Sequence, residues 1–177
     1  MIENKELWIQ TGYEIFAVAG LSGLKIEVLA KKVGISKSSF YHHFADLELF
    51  LEHLLKYHLQ QSKIIAEKEF KCQNIDPELI QILLDHKIDL LFNRQLRIYR
   101  NQKIFADTLN LSNQAVGSSF VLVWVKELNL KLNQKQLESI FELAIENFFL
   151  QITPDNLTQQ WLSDYFTNLK RIAHNFS

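Results

Sequence analysis

Residues 23–44 decide the fold, and they read Gly-Leu-Lys-Ile-Glu-Val-Leu-Ala-Lys-Lys-Val-Gly-Ile-Ser-Lys-Ser-Ser-Phe-Tyr-His-His-Phe. The apolar spacing predicts a helix over residues 26–33, a turn at Gly34 and a second short helix over residues 37–43. Ser36 stands where the second helix needs an N-cap, a position at which a hydroxyl can accept a bond from a free backbone N–H. The stretch is therefore predicted to be a helix-turn-helix.

The second short helix combines an apolar side with a polar side. Ile35 and Phe40 are expected to fill the angle between the two helices. The outer face carries Lys37, Ser38, Tyr41 and His42. Short polar side chains, one lysine and a tyrosine hydroxyl suit a helix that lies in a DNA major groove, where some groups contact base edges and others contact phosphates.

The charge of the chain is concentrated locally. Over all 177 residues the net charge is -1, which by itself gives no support for a nucleic-acid partner. The segment 25–43, however, contains only one acidic residue, Glu27. Its basic residues and histidines are Lys25, Lys31, Lys32, Lys37, His42 and His43. A basic island on a nearly neutral protein is expected for a head that contacts phosphates while the body does something else.

The composition predicts an all-α protein. Apolar residues make up 47% of the chain, and the 5 glycines and 2 prolines leave few interruptions of helices. The pattern predicts about nine helices, with a three-helix head over residues 1–45 that contains the helix-turn-helix and a helical-bundle body over residues 46–177. Residues 46–71 form the helix that connects them. Helix starts are expected at Asp46, Asp76, Ser112, Asn133 and Thr153, with an interruption near residues 93–96.

The head resembles the DNA-binding domain of the tetracycline-repressor (TetR) family. The residues in register, all within about the first 60, are Phe16, Gly20, Gly23, Leu29, Ala30, Gly34, Ser36, Tyr41, His43 and Phe44. The resemblance implies a ligand-responsive transcriptional regulator, by default a repressor, that binds a palindromic operator in double-stranded DNA as a homodimer. It also implies release from DNA by a small apolar or amphipathic effector.

The resemblance also assigns the DNA contacts. It implies that Lys37, Ser38 and His42 face bases. The residues that would meet phosphates are Ser36, Ser39, Tyr41 and His43, with Lys25 near the backbone. Two residues depart from the family pattern: Lys25 replaces a frequent Thr or Ser, and Leu47 replaces a frequent lysine. Because no arginine precedes Arg94, the head lacks the bidentate arginine–guanine contact, and we expect modest affinity.

The body is rich in large aromatic side chains. Such rings are more often plain core than the wall of a ligand site. The resemblance favours an apolar pocket, and it would gather Phe92, Phe105, Phe120, Trp124 and Phe148 around it. Three arginines spaced three residues apart, Arg94, Arg97 and Arg100, are interpreted as a solvated face, with an anion site as the alternative.

The last two predicted helices are apolar on more than one side. A helix of this kind is buried on two sides, and we expect the second side to pack against a symmetric partner. The predicted interface contains Phe149, Trp161 and Tyr165. A wholly internal core is the alternative.

Other classes of function find little support. The sequence has no HExxH motif, no glycine-rich phosphate loop and no nucleophile beside a patterned base, so neither catalysis nor a cofactor is expected. The single cysteine, Cys72, cannot form a multi-cysteine metal site. His53 and His58 are five residues apart, a poor helical spacing for binding one metal, and are interpreted as ordinary residues of the connecting helix. No apolar run approaches the ~18 residues of a membrane span, and the N-terminus is not a signal peptide, so a cytoplasmic protein is expected. The remaining alternative is a helical small-molecule-binding or scaffolding protein whose degenerate head does not bind DNA.

Overall fold

The computed structural model describes residues 4–128 and 133–175, and this part of the chain is helical without strands. The head contains α1 (Asn4–Ala19), α2 (Ile26–Val33) and α3 (Lys37–His43), with a 3-10 turn at Gly20–Gly23 between the first two. Gly34 ends α2 with a backbone φ of 76°, a left-handed conformation that side chains with a Cβ rarely adopt. The predicted helix-turn-helix is confirmed.

The body is built from six helices of different lengths. They are α4 (Leu47–Phe70), α5 (Ile80–Asp85), α6 (Lys87–Ile98), α7 (Lys103–Leu128), α8 (Gln134–Gln151) and α9 (Gln159–Asn175). Nine α-helices in the described ranges confirm the predicted all-α fold. Asp46 caps α4 as predicted, by accepting a 2.8 Å hydrogen bond from the backbone N–H of Leu49. The predicted capping box of Asn133 and Gln136 begins α8.

Two predicted helix starts in the body are wrong because the polar residue has another partner. Asn74, and not Asp76, caps the turn Ile75–Leu79 that precedes α5, since its side chain accepts from the backbone N–H of Glu78. Ser112 lies in the middle of α7, where its buried hydroxyl bonds other side chains instead of a helix end.

Two further boundaries also differ from the prediction. The last helix begins at Gln159 rather than at Thr153, because Thr153 and Asn156 bond each other's backbone N–H groups and close a turn first. The helical breaks after α5 lie at His86 and over residues 99–102, so α6 runs without interruption through residues 93–96.

Helix α1 belongs to both the head and the body. It packs against α2, α3 and α4 on one side and against α6 on the other, while α4 packs along α7. A Cβ at Gly12 would lie 2.4 Å from the Phe50 ring, so the close approach of α1 to α4 requires glycine. Head and body therefore share one continuous core. None of the helices in the described ranges combines the length and the apolarity that a membrane crossing needs.

Candidate nucleic-acid interface and ligand cavity

An aromatic cluster attaches α3 to the rest of the head. Trp8 of α1 is fully buried and meets Phe40 edge-on, with ring centroids 5.4 Å apart. Phe40 also contacts Phe44 and Phe50, at 5.1 and 5.2 Å. Because these rings hold one side of α3 in the core, the opposite side is fixed towards solvent.

The exposed side of α3 carries the predicted base-facing residues. Lys37, Ser38 and His42 are exposed, and Tyr41 beside them is 57% exposed although it is aromatic. Of the other predicted contacts, Ser36 and Lys25 are exposed, and Ser39 and His43 are half-buried. The structure thus brings the predicted set to α3 and to the start of α2 with polar atoms available to a partner.

Two local contacts modify the predicted roles. Ser36 stands at the N-cap position, yet its hydroxyl lies 2.9 Å from the Ser38 hydroxyl and makes no capping bond. Lys37 donates a 2.5 Å hydrogen bond to Glu27 of α2, and this bond is the main reason that the pKa of Glu27 is lowered. Lys25 stands at the N-cap of α2 without a side-chain cap, as its replacement of a hydroxyl residue predicts.

Two adjoining cavities lie in the body. The first has a volume of about 60 Å³ and an apolar wall that includes Leu83, Ala144, Phe148, Tyr165 and Phe166. The second has a volume of about 50 Å³ and a partly polar wall that includes His58, Ser62, Asp89, Asn93 and Ser112. They share Glu69, Leu90, Val116, Ile145 and Phe149, so they are two ends of one elongated site.

The predicted pocket residues fall in different places. Phe148 lines the apolar cavity. Phe92 and Phe105 are fully buried in an aromatic stack around Phe16, with centroids at 4.6 and 6.0 Å, and line neither cavity. The side chains of Phe120 and Trp124 lie outside the described part of the structure.

A network of buried hydrogen bonds surrounds the polar cavity. Tyr13 of α1 donates a 2.7 Å bond to Asp89 of α6, and its oxygen lies 2.7 Å from His58 Nδ1. Since the single hydroxyl proton of Tyr13 goes to Asp89, His58 donates from Nδ1 and accepts at Nε2. On that side Ser112 lies 3.3 Å away and Asn93 3.4 Å away. Burial, together with the charge of Arg97, lowers the pKa of His58 to about 3, so this ring is uncharged at neutral pH.

The network continues to both ends of α6. His86 donates to the second oxygen of Asp89 at 2.8 Å and lies 2.7 Å from the ammonium group of Lys68. At the other end, Arg97 bonds Asn93 and, at 2.9 Å, Glu146 of α8. Every charged group of this network therefore has a partner within the chain.

The interpretation of the arginines as a solvated face is wrong for Arg97. Its side chain is buried, and its guanidinium group lies 3.9 Å from the centroid of the Phe149 ring in addition to the bond with Glu146. Arg100 is exposed and bonds the other oxygen of Glu146 at 3.0 Å. His58 lies in the connecting helix α4, as predicted, and its ring is in addition a buried centre of hydrogen bonding.

The predicted dimer residues are partly covered within the chain. Trp161 stacks on Tyr165 at 5.3 Å, and the Tyr165 hydroxyl donates to the backbone oxygen of Ala144. Phe149 lies under Arg97. The apolar side chains that remain open on α8 are Leu143 and Leu150, 72% and 78% exposed.

Sequence reasoning missed the buried polar set, although a signal was present. Asp89, Asn93 and Arg97 are spaced four residues apart along α6, which places them on one helix face. The same helix carries buried Leu90, Leu91 and Leu96, so polar residues at helical spacing within an apolar helix were a sign of an internal network.

A helix-turn-helix with a polar, exposed second helix on an all-helical body defines the class of DNA-binding regulators. Residues 8–54 match the family described as bacterial regulatory proteins, tetR family. Over 113 residues, 64% of this chain, the sequence is 29% identical to the uncharacterized HTH-type transcriptional regulator YerO of Bacillus subtilis (strain 168), and the match spans only 37% of that relative.

Solved structures show the same fold over nearly the whole chain. The structure of the ketosteroid transcriptional regulator KstR2 of Mycobacterium tuberculosis superimposes with a TM-score of 0.64 at 16% identity, covering 97% of this chain and 95% of that one. The multidrug binding protein EbrR complexed with proflavin gives a TM-score of 0.51 at 14% identity, covering 94% and 99%. Residues 8–54 therefore form a DNA-binding domain of the tetR-family type, and the likeness to the solved structures extends the fold alone over the rest of the chain.

Proposed function

We propose that this regulator is a ligand-responsive repressor that binds a palindromic operator as a homodimer and leaves it when a small apolar or amphipathic effector binds in the body. The observation that carries the proposal is the course of α4. This helix begins at Leu47, directly after the recognition helix α3, and its later turns supply His58, Ser62 and Ile65 to the cavity wall.

Helix α4 connects the two sites mechanically. Its 24 residues span about 36 Å as one rod. An occupant that displaces His58 or Ser62 shifts α4, and Phe50 in its first turn carries the shift to Phe40 of α3. Ligand and DNA then favour two different positions of α4, so binding of one weakens binding of the other. This is the condition for allosteric release.

On the DNA side, the exposed face of α3 supports base contacts by Lys37, Ser38 and His42. Phosphate contacts fall to Ser36, Ser39, Tyr41, His43 and Lys25. A recognition helix reads only about one half-site, so a specific site requires two copies whose helices lie about 34–36 Å apart, one turn of DNA.

The exposed leucines of α8 support the dimer. Leu143 and Leu150 are seven residues apart and therefore lie on one helix face. Large apolar side chains that are exposed in rows are a property of interfaces, and α8 of a second copy would cover them by two-fold symmetry. EbrR, a protein of the same fold, has been crystallised with proflavin, which supports a ligand site in such a body.

The experiment that tests the proposal is a gel shift with the DNA upstream of the gene for this protein. We expect a retarded band at low salt that Tyr41→Ala weakens, with the fold of the variant checked by circular dichroism. Absence of binding to any upstream fragment at 50 mM salt contradicts the proposal and leaves the helical ligand-binding or scaffolding alternative.

A further inference from the structure

The residues that line the cavity restrict the size and the chemistry of the proposed effector. We infer that the effector is an uncharged amphipathic molecule with about one ring, whose hydroxyl group binds at His58, Asn93 and Ser112, and that Tyr13 transmits its binding to the DNA-binding head. This inference rests on the ligand-sensing function proposed above.

The two ends of the site differ in chemistry. Rings of Phe148, Phe149 and Tyr165 surround the apolar end, and the Tyr165 hydroxyl is turned away to the backbone of Ala144. Hydroxyl, amide and imidazole groups line the other end. For comparison, an apolar protein cavity of about 150 Å³ holds benzene. Cavities of about 60 and 50 Å³ are together smaller than this, so one ring with one polar group is the upper limit for a guest. Such a guest fits only when side chains of the wall move.

Each charged side chain around the polar end already has a partner within the chain. Asp89 accepts from Tyr13 and His86, Arg97 is paired with Glu146, and Glu69 on the shared wall has its own interaction. An ionic guest would lose its hydration and would also have to displace an existing partner of one of these groups, which is costly in a buried site. An uncharged guest avoids this cost.

The uncharged groups at the same end can accept a guest. The contacts of His58 Nε2 with Ser112 and Asn93 are long, at 3.3 and 3.4 Å, compared with the 2.7 Å contact of Nδ1 with Tyr13. Long bonds are the weaker ones and are exchanged at the lowest cost. A hydroxyl on the guest can donate to His58 Nε2 and accept from the second amide hydrogen of Asn93. Ser112 positions that amide by accepting its other hydrogen at 3.0 Å, while its own proton goes to Ser62.

Tyr13 connects this end to the head. Its oxygen contacts His58 on the side of the ring opposite to the guest position, its ring stacks on Phe92 at 4.3 Å, and its backbone belongs to α1. Trp8, little more than one turn earlier in α1, packs against Phe40 of the recognition helix. A guest that turns or moves the His58 ring therefore displaces a side chain that is anchored in the head.

The first test uses four probes of equal ring size, p-cresol, toluene, benzoate and benzylamine, titrated calorimetrically into the purified protein at pH 7.5. We expect p-cresol to bind about tenfold more tightly than toluene, the effect of one buried hydrogen bond, and more tightly than both ions. Ser112→Ala should reduce the preference for p-cresol without weakening toluene. Equal or tighter binding of toluene, tighter binding of either ion, or no binding of any probe at millimolar concentration overturns the inference.

The second test measures amide hydrogen exchange in α1 and α3 with and without saturating p-cresol. We expect the exchange of both helices to change in the wild type and in Tyr57→Phe, and to stay constant in Tyr13→Phe, which retains the ring but lacks the hydroxyl. Tyr57 is a matched control because its ring contacts Tyr13 at 4.9 Å while its hydroxyl makes no bond in the described network. If Tyr13→Phe does not fold, Asp89→Asn takes its place, with the same expected loss of response.

An unchanged response in the folded variant overturns the role of Tyr13. Neither test contains DNA, so failure of operator binding and failure of this inference are distinguishable.

Discussion

Lys37 and Tyr41 are neighbours in space on α3 but differ in their assigned partners. Lys37→Ala should relax discrimination at one base position by ~1–3 kcal/mol, because a base contact is lost. Tyr41→Ala should weaken binding to all sequences about equally, because a phosphate contact carries no sequence information. Binding to a set of single-base operator variants, measured by fluorescence anisotropy, separates the two. Uniform weakening by Lys37→Ala contradicts the base assignment.

Glu27 restrains Lys37, the lysine that is proposed to contact a base. In the free protein its carboxylate holds Lys37 at 2.5 Å, and both groups are exposed. Glu27→Gln removes the competing acceptor and one negative charge next to the phosphates, so operator affinity should rise by a few-fold. Glu14→Gln is the matched control, since Glu14 pairs with Lys32 on the same head but outside the assigned contacts. Fluorescence anisotropy titrations at one salt concentration measure the operator affinity of both variants. An equal gain in affinity in Glu27→Gln and Glu14→Gln would show only a general effect of charge.

At the level of the helices, the buried ring of His58 in α4 makes the stability of the fold depend on pH. The pKa of His58 is about 3 in the folded protein, below its usual value near 6.5, because burial disfavours the charged form. Between these values the unfolded chain binds the proton and the folded chain does not, so stability is lost as pH falls through this window, by roughly 1 kcal/mol per pH unit.

Urea unfolding of the wild type and of His58→Gln between pH 7 and pH 4.5 measures this dependence. The difference in unfolding free energy between the two proteins should shrink as the pH falls, because only the wild type acquires the penalty. His42→Gln, at an exposed position of α3, should follow the wild type. A constant difference between wild type and His58→Gln would show that His58 is not the group responsible.

For the whole molecule, the proposed dimer is tested at the exposed leucines of α8. Leu143→Lys with Leu150→Lys should convert a dimer into a folded monomer, because both side chains are open on α8. Leu111→Lys, at a 52% exposed leucine of α7, is the control that should remain dimeric. Phe149→Lys should instead destabilise the fold, since its ring packs against Arg97. Sedimentation equilibrium and thermal melting distinguish these results, and a wild type that is monomeric at micromolar concentration contradicts the dimer.

The helix-turn-helix was predictable from the sequence because its determinants are local. Gly34 ends α2 through its own backbone conformation, and the apolar spacing of residues 26–33 and 37–43 defines two helices without reference to the rest of the chain. The same holds for the caps at Asp46 and Asn133, whose partners are three residues away. Family resemblance then added the roles of the exposed side chains on α3.

The interior of the body was decided only by tertiary structure. Serine often caps helices, but the hydroxyl of Ser112 bonds Ser62, which lies 50 residues away in the sequence. No local sequence pattern distinguishes a capping serine from one that bonds a distant side chain. Tyr13, His58 and Asp89 come from three helices, so their meeting depends on how α1, α4 and α6 pack. Sequence by itself therefore determined the helical fold and the exposed polar face of α3 that is proposed to contact DNA, because both follow from short-range periodicity. The polar end of the cavity follows from contacts between distant helices, and only the packed structure shows it.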